Sequence, residues 1–219
     1  MSRTEVGTED QRKPGRPTRP PLTEGAIADA ALAIIDESGW QACTMKAVAT
    51  RLGVRAPSLY HHVEGRPAIL DLVRSTIAAE IHDPGILELP WDEAMLRFGT
   101  AYYRAFARHP NTIEVLSTTP VRDAITLQLY ECFLQSLHRD GWDGARAFEA
   151  LLGLEHLALG FAFEWNAEGL MLESARCAEL GAPLLAEIVA ERPEDQAALA
   201  ESSFMSLLRR YIEMFRIPG

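Results

Sequence analysis

Apolar residues recur along this chain at three- and four-residue intervals and almost never at alternate positions, a pattern that predicts helices and no convincing strand. Thr23 is placed to cap the first helix, whose stripe is Ile27, Ala30, Ala31, Ile34 and Ile35. Gly39 stops it, and Trp40 can fold back on its last turn. Thr44 caps a second helix with Ala47, Val48 and Leu52 on its inner face, and Gly53 supplies the left-handed residue that ends it. A third helix of about two turns opens with Pro57 at its first position, where a missing N–H costs nothing. Leu59 and Val63 give it an inner stripe, so Arg55, Ser58, Tyr60, His61 and His62 point outward or sideways. Pro67 begins a fourth helix, which runs through Ile69, Leu70, Val73 and Ile77 to Ile81 and breaks at Asp83-Pro84-Gly85. It links the small first unit to all that follows.

After Pro90 the spacing predicts helices at 91–107, 111–116, 120–139, 143–168, 183–191 and 193–215, with a less regular stretch at 170–182. The fold class expected is all-α: a three-helix domain at 21–66 on a larger helical bundle at 67–219, preceded by an arm at 1–20. One bundle helix stands out. From Ala150 to Trp165 only Glu155, His156 and Glu164 are polar, so this helix needs cover on nearly every side. Packing against a symmetry mate with the last helix alongside supplies that cover, and the expected seam is Leu152, Leu159 and Phe163 with Met205, Leu208 and Ile212.

Composition narrows the class further. A chain of 219 residues with 47% hydrophobic and 24% charged residues is an ordinary globular one. Its net charge of -10 is unevenly divided along the chain. The first 66 residues hold nine Lys+Arg against eight Asp+Glu, and the acid excess lies wholly beyond them, so the first domain is the basic end. Cys43, Cys132 and Cys177 are far apart and odd in number, which fits small buried thiols in a reducing cytoplasm. No apolar run follows the polar start, and the longest, 151–163, is too short to span a bilayer, so no membrane partner is expected. The arm carries Arg12, Lys13, Arg16 and Arg19 among prolines. Arg16 and Arg19 suit a hook in a narrow minor groove, and a solubilising tail is the equal alternative.

Two short helices joined by a tight turn, with hydroxyls, a guanidinium and imidazoles on the outer side of the second, make a helix-turn-helix able to enter a major groove. Enzyme chemistry finds little support: the chain has no Gly-rich phosphate loop, no G-x-S-x-G elbow, no H-E-x-x-H and no C-x-x-C, and no cofactor or metal site is indicated. A helical enzyme or an adaptor that uses the motif only for packing is the alternative. The block from Leu22 to Leu72, with A-A-L-x-I-I-D-E-S-G-W, T-M-K-A-V-A-x-R-L-G-V-x-A-P-S-L-Y-H-H-V and R-P-A-I-L-D-L, resembles the DNA-binding domain of the TetR family of bacterial transcriptional repressors.

That resemblance implies a homodimer that holds double-stranded operator DNA and is released by a small-molecule inducer. Positions matching the family's DNA contacts are Thr44, Met45 and Lys46, then Arg55, Ala56, Pro57, Ser58, Tyr60, His61 and His62, with Arg66 just beyond. Lys46, Tyr60 and Arg66 are expected on phosphates, and Ala56, Ser58 and His61 nearer bases. The bundle is most similar to that of the tetracycline-repressor branch, with its ligand-binding part diverged. Laid on that branch, His82, Phe98, Tyr102, Val115, Thr119, Glu131, His156 and Glu164 fall where it lines its drug pocket, and Gly160 clears volume nearby; Arg104 is a further candidate. A satisfied core histidine is the alternative for each His. In that branch a bundle histidine holds a metal, an arginine stands near it and an asparagine faces the drug; here those positions are Val115, Thr119 and Phe98. The inducer implied is therefore an aromatic or fused-ring molecule with polar ends, and not a magnesium-tetracycline complex.

Overall fold

The computed structural model describes residues 21–164, 172–192 and 195–216. The arm with Arg16 and Arg19, and Trp165 at the end of the apolar helix, lie outside the described residues. Eleven α-helices occur among those residues, with no strand. The first four are α1 (Glu24–Ala42), α2 (Met45–Leu52), α3 (Ala56–Leu59) and α4 (Arg66–Ile81). The bundle holds α5 (Trp91–Arg108), α6 (Ile113–Ser117), α7 (Ala124–Arg139), α8 (Gly144–Glu164), α9 (Ser174–Glu179), α10 (Pro183–Ala190) and α11 (Gln196–Met214). No helix is long and apolar enough to cross a membrane among the described residues.

Caps fix the starts. Thr23 Oγ1 accepts from the Ala26 N–H and Thr44 Oγ1 from the Ala47 N–H, each at 3.1 Å, so both predicted N-caps form. Gly39, at φ 74°, breaks the regular run of α1, and one further turn carries the chain to Ala42. Gly53 ends α2 in the left-handed region, as the sequence predicts. Two starts differ from the expected prolines. Asp123 accepts from the Thr126 N–H and begins α7 at Ala124 rather than Pro120. Asp195 likewise begins α11 at Gln196. A carboxylate cap satisfies an orphan N–H that a proline only lacks, so the cap sets the boundary. Within the stretch expected to be irregular, Ser174–Glu179 is helical and packs against α10.

One continuous core joins the two parts. Ile27, Ile35, Val48 and Leu59 close the first domain, and Ile69, Val73 and Ile77 of α4 carry the packing onward to α5 and α7. The joint is also polar. His109 Nδ1, just after α5, sits 2.9 Å from Asp36 Oδ2, and Asn111 Nδ2 donates to the Asp36 carbonyl at 2.8 Å. In the bundle α5 lies against α8, with α7 and α11 on either side. Gly153 of α8 lets α11 approach closely: a Cβ there would meet the Tyr211 hydroxyl at 2.3 Å, and that hydroxyl donates to the Ala150 carbonyl at 3.1 Å.

The seam expected between two copies divides in two. Leu208 is 0% exposed and Ile212 is buried, and the Leu208 methyl groups pack beside Gly99 and Leu154. Both therefore belong to the protomer's own core. The reason is helical phase: residues 200, 204, 208 and 212 form the inner row of α11, and Leu207 and Met214, one step round, stay exposed. Met205 is half-buried, its sulfur 3.6 Å from the Thr100 hydroxyl. On α8 the outward row is Phe148, Leu152 and Phe163, with Leu159 half-buried beside it. That helix is thus apolar all round but covered on only one side within the protomer.

Candidate DNA interface and effector cavity

The helix-turn-helix is built so that packing and display use opposite faces. Val48, Ala49, Leu59 and Val63 are buried, and Lys46, Arg55, Pro57, Tyr60, His61 and His62 are exposed. Tyr60, 59% exposed, is a large ring with no packing reason to be outside. Ala56 and Ser58 are half-covered at the start of α3. The α3 helix is shorter than the predicted two turns, and Pro57 is its second residue, because Arg55 is extended and Ala56 opens it. The Leu59 carbonyl accepts from both the His62 and Val63 N–H groups at 2.9 Å, which tightens the chain after one turn.

Three expected DNA contacts are engaged inside the protein. Thr44 uses its hydroxyl oxygen as the α2 cap. Met45 is partly buried against the core. Arg66 donates to the Trp40 carbonyl at 2.8 Å, and its guanidinium lies 4.3 Å from the Trp40 ring centre, so it ties α4 to the end of α1. A neighbouring tie, Arg51 to Glu37 at 2.7 Å, holds α2 on α1. Lys46, Arg55 and His61 make no such contact among the described residues.

The bundle holds a half-open cavity of about 280 Å³. Ile77, Ala78 and Ile81 of α4 form one wall, Tyr102 and Phe106 of α5 a second, and Leu129 and Tyr130 of α7 a third. Leu152, Glu155, His156 and Leu159 of α8 close it, and Leu116, Ser117 and Thr119 cap the end nearest the first domain. Of the positions proposed from sequence, Tyr102, Thr119 and His156 are on this wall. Leu152 and Leu159, expected at the seam, line it as well.

The other expected ligand positions lie elsewhere. Phe98 is buried behind Tyr102, its ring 4.3 Å from that of Phe133. His82 is the C-terminal cap of α4, with Nδ1 buried and unpartnered. Val115 lines a separate crevice with Trp40, Asn111 and Phe163. Glu131 is exposed and accepts from Gln135 at 2.7 Å. Gly160 and Glu164 are on the outer side of α8, and Arg104 pairs with Glu201 at 3.0 Å on the surface. Which residues of a stripe reach the cavity is decided by how the neighbouring helices cover them: Phe98 shares the stripe of Tyr102 but is covered by Phe133.

Arg74, Tyr130 and Glu155 complete the cavity's polar lining. Arg74 is buried; Nη1 donates to the Leu116 carbonyl at 3.0 Å and Nη2 to Thr119 Oγ1 at 2.6 Å, with Asp123 Oδ2 3.9 Å from Nε. Its signal is legible in retrospect, since it sits on the stripe of Leu70, Ile77, Ala78 and Ile81, where a cation must find partners. Burial pushes the Tyr102 phenol well above its ordinary range, and the negative charge of Glu155 adds to the shift. Burial and Glu155 raise Tyr130 in the same way. Both phenols therefore remain protonated donors beside that carboxylate.

A short exposed helix seated on a capped partner, joined by α4 to a bundle with a half-open cavity, defines a helix-turn-helix DNA-binding regulator. Residues 27–71 match the family model for bacterial regulatory proteins of the tetR family, and residues 87–208 match that for the tetracyclin repressor-like C-terminal domain. The chain belongs to the TetR family. It is 28% identical over 203 residues to the HTH-type transcriptional repressor DrrR1 of Streptomyces coeruleorubidus, covering 88% of this chain and 74% of that protein. It is 27% identical over 204 residues to the class D tetracycline repressor protein of Escherichia coli, covering 90% of each. The TetR family protein ActR of Streptomyces coelicolor, solved in complex with actinorhodin, shares the fold at a TM-score of 0.70 and 21% identity, with 90% of this chain and 96% of that one covered. The relatives are transcriptional regulators, and this chain is one of them rather than an enzyme.

Proposed function

We propose that the protein is an effector-responsive repressor: a homodimer whose two helix-turn-helix units hold a partly palindromic operator and release it when a small molecule enters each bundle. The observation that carries the proposal is the shared wall. The helix that supplies Ile77, Ala78 and Ile81 to the cavity begins at Arg66, which holds the end of α1, so a change at one end of α4 reaches the other through a rigid element. A ligand that prefers one setting of α4 shifts the DNA-binding equilibrium by the ratio of its affinities for the two settings, and DNA shifts ligand affinity by the same factor. The division of labour we assign is 21–66 for the operator and 67–219 for effector and dimer.

The outward rows of α8 and α11 support the dimer. Phe148, Leu152, Phe163, Leu207 and Met214 leave large apolar surface uncovered on one protomer, and a two-fold partner covers both rows at once. For DNA, Lys46 and Tyr60 hold phosphates, and Ala56, Ser58 and His61 face bases. For the effector, the wall of phenols and aliphatic side chains suits an aromatic or fused-ring body with polar ends. A magnesium-tetracycline complex is the wrong ligand. Val115 stands where the tetracycline branch has its metal-binding histidine, and Mg²⁺ exchanges its water only for well-placed oxygen and nitrogen donors. Calorimetry with tetracycline and Mg²⁺ is expected to show no metal-dependent binding.

The test is fluorescence anisotropy with DNA from upstream of the protein's own gene. Saturable binding by the dimer, weakening steeply with salt and exceeding that for scrambled DNA, is the expected result. Equal affinity for scrambled DNA would contradict the proposal.

A further inference from the structure

The cavity has one charge too many. Arg74 is matched by Asp123 at 3.9 Å and by carbonyl and hydroxyl acceptors. Glu155 has no such match: none of the ion pairs among the described residues includes it, and its Oε1 is buried with no hydrogen-bond partner. The cavity wall includes it. Thr126 Oγ1, on the same wall, is also buried and unpartnered. His156 Nδ1 is 2.6 Å from the Leu152 carbonyl, which accepts only from an N–H, so the proton of the neutral ring is on Nδ1 and Nε2 keeps a lone pair.

We infer that the effector is a cation, an aromatic or fused-ring molecule with a protonated nitrogen, and that Glu155 is its counter-ion, with the Tyr102 and Tyr130 rings beside it. A carboxylate in a partly closed site is costly unless a positive group or strong donors meet it. Two phenols supply donors from one side, and Glu155 stands on the wall of the volume a ligand would fill, with one oxygen still unpartnered. Aromatic faces next to that volume also favour a cation over a neutral group. The inference rests on the cavity being the effector site, and it adds the sign of the effector's charge.

A matched pair of probes tests it on the full-length dimer without DNA: 9-aminoacridine, a three-ring cation, and acridone, its neutral counterpart of similar size. Both probes are titrated by fluorescence at about pH 8. The wild type is expected to bind the cation at least about tenfold tighter than acridone. Glu155→Gln keeps the shape of the side chain and removes its charge, and it is expected to lose that preference and leave acridone affinity unchanged. Thr126→Val, which removes the second open acceptor without touching charge, should keep the preference.

Equal affinity of the wild type for the two probes, failure to bind either, or a cation preference that survives in Glu155→Gln overturns the inference. Operator binding by the same preparations is read in parallel. A protein that binds operator but shows no cation preference fails this inference alone, and one that never binds operator fails the regulator reading whatever its dyes do.

Discussion

In the helix-turn-helix, the polar residues proposed to meet DNA stand outside the core, on faces the packing does not use. Lys46, Tyr60, His61 and His62 are exposed, and the contacts beneath them are made by Val48, Ala49, Leu59 and Val63. In the bundle the polar residues lie among the packing groups: Arg74 shares its stripe with Ile77 and Ala78, and Glu155 lies between Leu154 and His156 on a nearly apolar helix. A surface site and its support can be separated by helical phase alone. A cavity cannot, since its lining and the core are one set of residues, divided only by how far the helices stand apart. The same difference predicts how each region responds to substitution.

The largest effect is expected where core and seam are easiest to confuse. Leu208→Glu places a carboxylate against Gly99 and Leu154 inside the protomer, at a cost of at least about 4 kcal/mol. That is a large part of an ordinary domain's stability. Leu207→Glu, one residue earlier and already 41% exposed, is expected to change protomer stability by under about 0.5 kcal/mol and to give a monomer. Denaturant unfolding and sedimentation of the two variants check the contrast. A folded, dimeric Leu208→Glu would mean that the α11 phase is wrong.

A smaller effect sharpens the other side. Thr44→Ala removes the acceptor for the Ala47 N–H and is expected to cost about 1 kcal/mol of stability. The loss of operator affinity should follow the loss of fold and go no further, because that hydroxyl is committed to the cap. Affinity that falls tenfold in a variant still fully folded would place Thr44 on DNA directly.

How much of this was legible in the sequence follows the same division. The N-caps at Thr23 and Thr44, the left-handed Gly53, the inner stripes of the first domain and the exposed row on α3 are local properties, and the residue pattern states them. The tie of Arg66 to Trp40 was not legible, because the two are 26 positions apart and no local rule pairs them. In the bundle, the helices and the apolar character of 150–164 were legible, but the cavity wall was not. Phe98 and Tyr102 are one turn apart on α5 and share an apolar stripe; the ring of Phe133 covers the first, and the second faces open volume. Leu208 and Leu207 are both apolar, and only the approach of α5 at Gly99 decides which is inside. Tyr130 carries no signal until α7 brings it to Tyr102, and Glu155, a visible charge on an apolar helix, has no legible partners until α5, α7 and α8 meet.

The central claim is that the exposed side of α3 reads sequence while Lys46 only holds the backbone. The direct measurement is the affinity of wild type, His61→Ala and Lys46→Ala for the selected operator and for each single-base variant of it, across a range of salt. Lys46→Ala is expected to weaken all sites about equally and to lower the salt slope by about one. His61→Ala should lose about 1–3 kcal/mol of discrimination at one position of each half-site and keep the salt slope. If both variants bind every site as the wild type does, with the same salt dependence, that face of the protein does not meet DNA.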